Sequence, residues 1–128
     1  MNMRYGFLGI ALLALTGCAT NPVGTSLIDG SRKYDRADFH LYQVRVLAID
    51  GDYSVDRNPV RAAPGEHELL VATAPVAGFH DEPTKKVKFK VEPCKWYYIA
   101  ARREERLSQD FELVTQEVEP LAGCTMPQ

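Results

Sequence analysis

From Lys85 to Val91 the chain reads Lys-Lys-Val-Lys-Phe-Lys-Val, with Val87, Phe89 and Val91 on one side of a strict alternation and Lys86, Lys88 and Lys90 on the other. A period of two sends successive side chains to opposite faces of a strand, so this segment has an apolar face for a core and a charged face for water. The rest of the chain from about Phe39 onward repeats the theme in short runs rich in β-branched and aromatic residues, separated by turn residues. No stretch of about twelve or more residues in that region carries the 3.6-residue period of a helix. The fold class that follows is all-β, and the expected architecture is a small antiparallel β-sandwich.

The expected strands are His40 to Ile49, a short run around Asn58 to Ala62, Glu66 to Thr73, Lys85 to Val91, Trp96 to Ala101 and Phe111 to Val118. Asp50-Gly51 is a strong turn signal between the first two, because glycine accepts positive φ and aspartate bonds the turn backbone. In Glu66 to Thr73 the alternation is imperfect, with His67, Leu69, Val71 and Thr73 on one face. Trp96 to Ala101 is apolar on both sides, which predicts a central position in its sheet. Pro75 to Pro83 reads as a proline-flanked loop, and the charged run Arg102 to Arg106 as a hairpin loop reaching Gln109.

Ile49-Asp50-Gly51, followed by Ala63-Pro64-Gly65-Glu66-His67-Glu68-Leu69 and then by the lysine-alternating strand and Tyr97-Tyr98-Ile99, resembles the small β domains of the PEGA type over residues 44–101. Those domains carry an Ile-Asp-Gly turn, a variable stretch, and a Pro-Gly-x-His-x-Leu/Val opening to the next strand. Arg61-Ala62-Ala63-Pro64-Gly65 stands where the Pro-Glu-Gly-Ala motif of the family would lie. The resemblance implies a β-sandwich module of the bacterial cell envelope and no particular activity.

The amino-terminal segment has a different grammar. Met1 to Tyr5 holds a single positive charge, Arg4; Phe7 to Leu15 is almost wholly apolar and too short to span a bilayer; Leu15-Thr16-Gly17-Cys18 closes it. That closing tetrapeptide resembles the lipobox of bacterial lipoproteins. The resemblance implies removal of residues 1–17 as a signal peptide, a diacylglycerol on the Cys18 sulfur and acylation of the new amino terminus. Several acyl chains hold a protein to a membrane far more firmly than the marginal binding of one. Ala19 in place of Asp resembles the sorting pattern of the outer membrane, and the expected address is its periplasmic face. Residues 18–37, rich in Asn, Pro, Gly, Thr, Ser and charge, read as a lipidated, flexible tether before a domain at 38–128.

With Cys18 assigned to lipid, Cys94 and Cys124 remain in a compartment that permits disulfides, and they are the expected staple of a domain too small to bury a large core. Loss of Arg4 with the signal leaves 14 basic residues (15 − 1) against 17 acidic, a net charge of −3. So weak a net charge, on the acidic side, argues against nucleic acid as a partner. At 45% hydrophobic residues the chain is not composed like a disordered one.

Catalytic chemistry is not legible. His40, His67 and His80 are far apart, no serine lies in a Gly-x-Ser-x-Gly elbow, and the cysteines are otherwise assigned. Asp50, Asp52 and Asp56 do not keep the spacing of a calcium loop, and His80-Asp81-Glu82 reads as a solvated loop, so no metal and no cofactor is expected. Trp96, Tyr97 and Tyr98 read as sheet packing in preference to a sugar platform. Lys86, Lys88 and Lys90, flanked by Lys85 and Lys95, read first as a lysine-dressed solvent face that discourages edge-to-edge pairing. They read second as a candidate face for an anionic partner such as peptidoglycan carboxylates, lipopolysaccharide phosphates or an acidic protein patch. The chain is expected to be a non-enzymatic envelope binding or scaffolding module. The second reading is an inhibitor or accessory subunit of an envelope enzyme or secretion assembly, with the Pro75 to Pro83 loop as its inserting element.

Overall fold

The computed structural model describes residues 23–34, 40–55 and 58–128. Cys18, the residues expected as a signal peptide and Asp56 lie outside the described residues. Eight strands follow in order: β1 (Ser26–Asp29), β2 (Leu41–Tyr42), β3 (Val44–Ile49), β4 (Val60–Ala62), β5 (Gly65–Thr73), β6 (Thr84–Val91), β7 (Lys95–Arg102) and β8 (Glu112–Pro120). The fold is all-β, built from two sheets. In the first, β7 is central: β8 pairs along one side of it, while β1 and β2 share the other side and β4 lies outside β1. The second is antiparallel, in the order β3-β5-β6.

Two expectations are corrected here. The stretch assigned to a flexible tether contains β1, which lies between β4 and β7 with Ser26 and Ile28 both fully buried. The ordered fold therefore begins well before residue 38. The strand was hard to read because it is four residues long and one of its two inward positions is a serine, which breaks the apolar alternation. Ser26 is tolerated there because its hydroxyl donates to the Glu92 carbonyl (2.6 Å) and accepts from the Lys95 amide (2.9 Å). The second correction concerns direction: β1 runs parallel to β7, so the larger sheet is mixed, not purely antiparallel. A parallel neighbour requires a long crossover between its strands, and here residues 30–94, about half of the chain, intervene.

The run from His40 to Ile49, expected as one strand, divides at Gln43. Leu41–Tyr42 pairs with β7 and Val44–Ile49 pairs with β5, so the chain passes from one sheet to the other at that residue. The Gln43 carbonyl accepts from the Thr73 hydroxyl, which gives the crossing backbone a partner on β5 (2.8 Å). A second junction lies beside it. The Val44 amide donates to the Gly30 carbonyl at 2.9 Å, and a Cβ at Gly30 would stand 2.1 Å from the Val44 carbonyl oxygen. Only glycine permits that approach.

The core lies between the sheets. Ile28, Tyr97, Ile99 and Ala101 from the larger sheet meet Val44, Leu69, Val71 and Val91 from the smaller, with Phe111 closing one end. Tyr97 joins this packing edge-on to Phe89 (5.2 Å between ring centres) and accepts the Glu92 amide on its hydroxyl. Trp96 and Tyr98 alternate with it and lie on the opposite face of β7, stacked 13° from parallel. The expectation that this strand is central holds in the pairing pattern.

Cys94 and Cys124 form a disulfide with a Cα–Cα separation of 5.6 Å. Cys94 occupies the turn between β6 and β7 at φ 55°, its amide bonded to the Gly24 carbonyl and its carbonyl to the Leu121 amide. The bridge thus fixes the carboxy-terminal segment to the turn that also receives the start of β1.

Candidate functional site

The lysines singled out in the sequence are where the alternation places them. Lys86, Lys88 and Lys90 are exposed along β6, while Val87, Phe89 and Val91 face inward. Their surroundings are less uniformly basic than the strand alone suggests. Across the ladder Lys88 stands opposite Glu68 and Lys90 opposite Glu66, with Lys86 opposite Leu70. Opposite charges in register moderate the field of the row. Lys85 turns away from this face: its ammonium donates to the Phe111 carbonyl (2.6 Å), tying β6 to the entry of β8.

Charge is segregated between β6 and β8, two of the strands paired on one side only. β6 carries four lysines and no acid, and β8 carries Glu112, Glu117 and Glu119 and no base. On the β8 side Arg32 donates to Glu117 at 2.8 Å and lies 4.1 Å over the Tyr98 ring, whose hydroxyl donates to Glu119. The hydrogen bond from Arg32 holds the Glu117 carboxyl below its usual range.

The histidines are not brought together. His40 bonds the Arg103 carbonyl, and His67 lies between the Asp50 carboxylate and the Ala63 carbonyl. Among the described residues no group of three His, Cys, Asp or Glu side chains is placed to hold a metal ion. Asp50 and Asp52 are engaged by the turn itself. Asp50 accepts from the Glu68 amide and from His67, and Asp52 accepts from the amide and hydroxyl of Ser54. Each of these bonds lowers the carboxyl pKa.

The structure also shows a site that the sequence reading passed over. Arg103, placed in a charged loop by sequence, is 2% exposed. It follows directly from β7 and keeps that strand's parity, in which Tyr97, Ile99 and Ala101 point inward. The alternation Ala101-Arg102-Arg103-Glu104 contained the signal, since a strand extended by one residue puts Arg103 inside, but the surrounding charges made the run look uniformly solvated.

The Arg103 backbone continues the pairing with His40, its amide donating to the His40 carbonyl at 3.0 Å. Its guanidinium lies over the Tyr42 ring at 4.6 Å and donates from Nη2 to the Ala74 carbonyl at 2.6 Å. Nε is buried with no hydrogen-bond partner. None of the ion pairs among the described residues includes Arg103.

This guanidinium lines an open cleft of about 760 Å³ between the loop after β5 and the loop after β7. Pro75, Val76 and Ala77 form one wall, Leu107 forms part of the other, and Glu105 and Arg106 also line it. Gln109 braces the first loop by accepting from the Val76 amide and donating to the Asp81 carbonyl. Leu107, by contrast, is 82% exposed.

No family model matches the chain, and no curated protein or solved structure matches it.

Proposed function

We propose that the chain is a lipoprotein held at the periplasmic face of the outer membrane through Cys18, where its sandwich-like β domain acts as a non-enzymatic binding or scaffolding module. The lipobox-like Leu15-Thr16-Gly17-Cys18 supports the address. The scaffolding reading is carried by the segregation of charge onto two separate one-sided strands, lysines on β6 and glutamates on β8. Such an arrangement offers an anionic partner and a cationic partner different surfaces, and complementary charge speeds and orients encounter more than it adds affinity. Peptidoglycan carboxylates or an acidic protein patch suit the β6 face.

The test is recovery of crosslinked envelope partners with the full chain and with Lys86→Gln/Lys88→Gln/Lys90→Gln. The triple variant recovers less partner at low salt, and the difference narrows as salt rises. Recovery equal to that of the parent at every salt concentration refutes the β6 reading.

The inhibitor or accessory-subunit reading draws on the loop between β5 and β6. Phe79 is 55% exposed there, on a loop whose base Gln109 holds from two sides. Suppression of an envelope lytic activity that is lost with Phe79→Ser favours this second reading.

A further inference from the structure

We infer that the Arg103 cleft is a binding site for a monocarboxylate with an apolar body, the carboxylate meeting the guanidinium and the body lying against Val76 and Leu107. The inference goes beyond the scaffolding reading and does not depend on where the chain is anchored.

The first ground is the state of Arg103. A guanidinium has five N–H donors and does not lose its proton in proteins. Here it is almost wholly enclosed, makes one hydrogen bond to a neutral carbonyl and rests on a neutral ring. A buried cation is costly unless an anion compensates it. Among the described residues no carboxylate does so, and Nε has no acceptor. The missing group is a planar anion able to take hydrogen bonds from a planar fork.

The second ground is the cleft that the same side chain lines. Its volume of about 760 Å³ falls within the range of small-molecule sites. Pro75, Val76, Ala77 and Leu107 give it an apolar part beside the one buried charge, and Glu105 and Arg106 line the rest. A dianion such as phosphate fits less well, because the one buried cation compensates only half of its charge, while Glu105 and Arg106, which also line the cleft, carry opposite charges that offset one another. A single carboxylate matches the charge, and an apolar body gives the exposed Leu107 a partner to cover it.

The probes are octanoate and N-acetyl-leucine, which carry the same carboxylate on an acyl chain and on a residue-sized body. Octan-1-ol and octylammonium serve as uncharged and oppositely charged controls. Each is titrated into the isotopically labelled full chain, with the Arg103 Nε–H and Leu107 methyl resonances as readouts. At least one carboxylate produces saturable shifts at both positions, at least tenfold tighter than octan-1-ol, and octylammonium produces none. The tighter carboxylate identifies the source, acyl chain or chain-terminal residue. Arg103→Lys, which keeps the charge and loses the fork, weakens binding at least fivefold.

Leu107→Ser, at an exposed position that leaves the fold undisturbed, weakens octanoate several-fold and keeps the test decisive if the Arg103 variant fails to fold. Equal binding of octanoate and octan-1-ol, non-saturating shifts with both carboxylates, or full affinity in Leu107→Ser overturns the inference.

Discussion

His67 donates through Nδ1 to the Asp50 carboxylate at 2.6 Å, across 17 residues of sequence, and through Nε2 to the Ala63 carbonyl at the same distance. Both ring nitrogens therefore face acceptors, an arrangement that only the imidazolium satisfies completely. Asp50 stands at φ 50° in the two-residue turn that Ile49 and Asp52 close with reciprocal backbone bonds. The contact consequently fastens a hairpin tip to the start of β5.

The clasp gives stability a pH dependence of known sign. Burial lowers the His67 pKa, but the bonds to Asp50 and Ala63 outweigh it and the net shift is upward from 6.5. The Asp50 carboxyl is lowered from 3.8, first by the Glu68 amide and then by His67. The His67 contribution is complete below pH 6.5 and is lost as pH rises through the raised folded value. The Asp50 contribution is complete above pH 3.8 and is lost as pH falls through the lowered one. The clasp is thus strongest between those limits. NMR titration of the His67 ring should give a midpoint above 6.5 that falls in Asp50→Asn; a midpoint at or below 6.5 contradicts the geometry.

Ile28 distinguishes a strand from a tether. Ile28→Ala should destabilise the domain by about 2–5 kcal/mol, the range for a large aliphatic side chain removed from a packed interior. Urea unfolding measures it, and a change below about 0.5 kcal/mol would place residues 26–29 outside the cooperative fold.

Two glycines separate crowding from conformation. Gly30→Ala places a methyl against the Val44 carbonyl and should cost about 1–3 kcal/mol through displacement of β3. Gly51→Ala meets nothing within 4 Å, and its cost, roughly 1–2 kcal/mol, comes from holding an L-residue at φ 79°. A Gly51→Asn variant should recover part of the second loss, because asparagine tolerates that region. The corresponding Gly30→Asn should recover none of the first.

Removal of the Cys94–Cys124 bridge, which closes a 30-residue separation, should cost roughly 3.6 kcal/mol by the loop-closure relation. The double alanine variant and the reduced parent should show similar denaturant midpoints. Little loss in both would mean that the carboxy-terminal segment contributes nothing to the fold beyond β8.

Arg103→Met should leave the ligand-free domain as stable as the parent or raise it by about 1–4 kcal/mol, since an apolar side chain of similar reach removes an uncompensated buried cation. A loss of 3 kcal/mol or more would show instead that the Ala74 and Tyr42 contacts hold the two loops together.

Local sequence was enough for the parts of this fold that local chemistry controls. The alternation of Lys86, Lys88 and Lys90 with Val87, Phe89 and Val91 oriented β6, and Asp50-Gly51 located its turn. Two cysteines left for an oxidising compartment pointed to a bridge that the structure contains. Those features depend on the strand period, the φ preferences of single residues and the pairing of like groups.

What only the tertiary structure decided concerns partners distant in sequence. Ser26 and Ile28 form a strand because β4 and β7 flank them, and the serine is accepted inside because Glu92 and Lys95 supply its hydrogen bonds. The lysine row is moderated by Glu66 and Glu68, which the register of β5 sets opposite it. Arg103 is buried because β7 carries its parity one residue further, beneath Tyr42 and Ala74. A residue's preference for water is local, whereas its burial is set by whatever the chain returns to place against it.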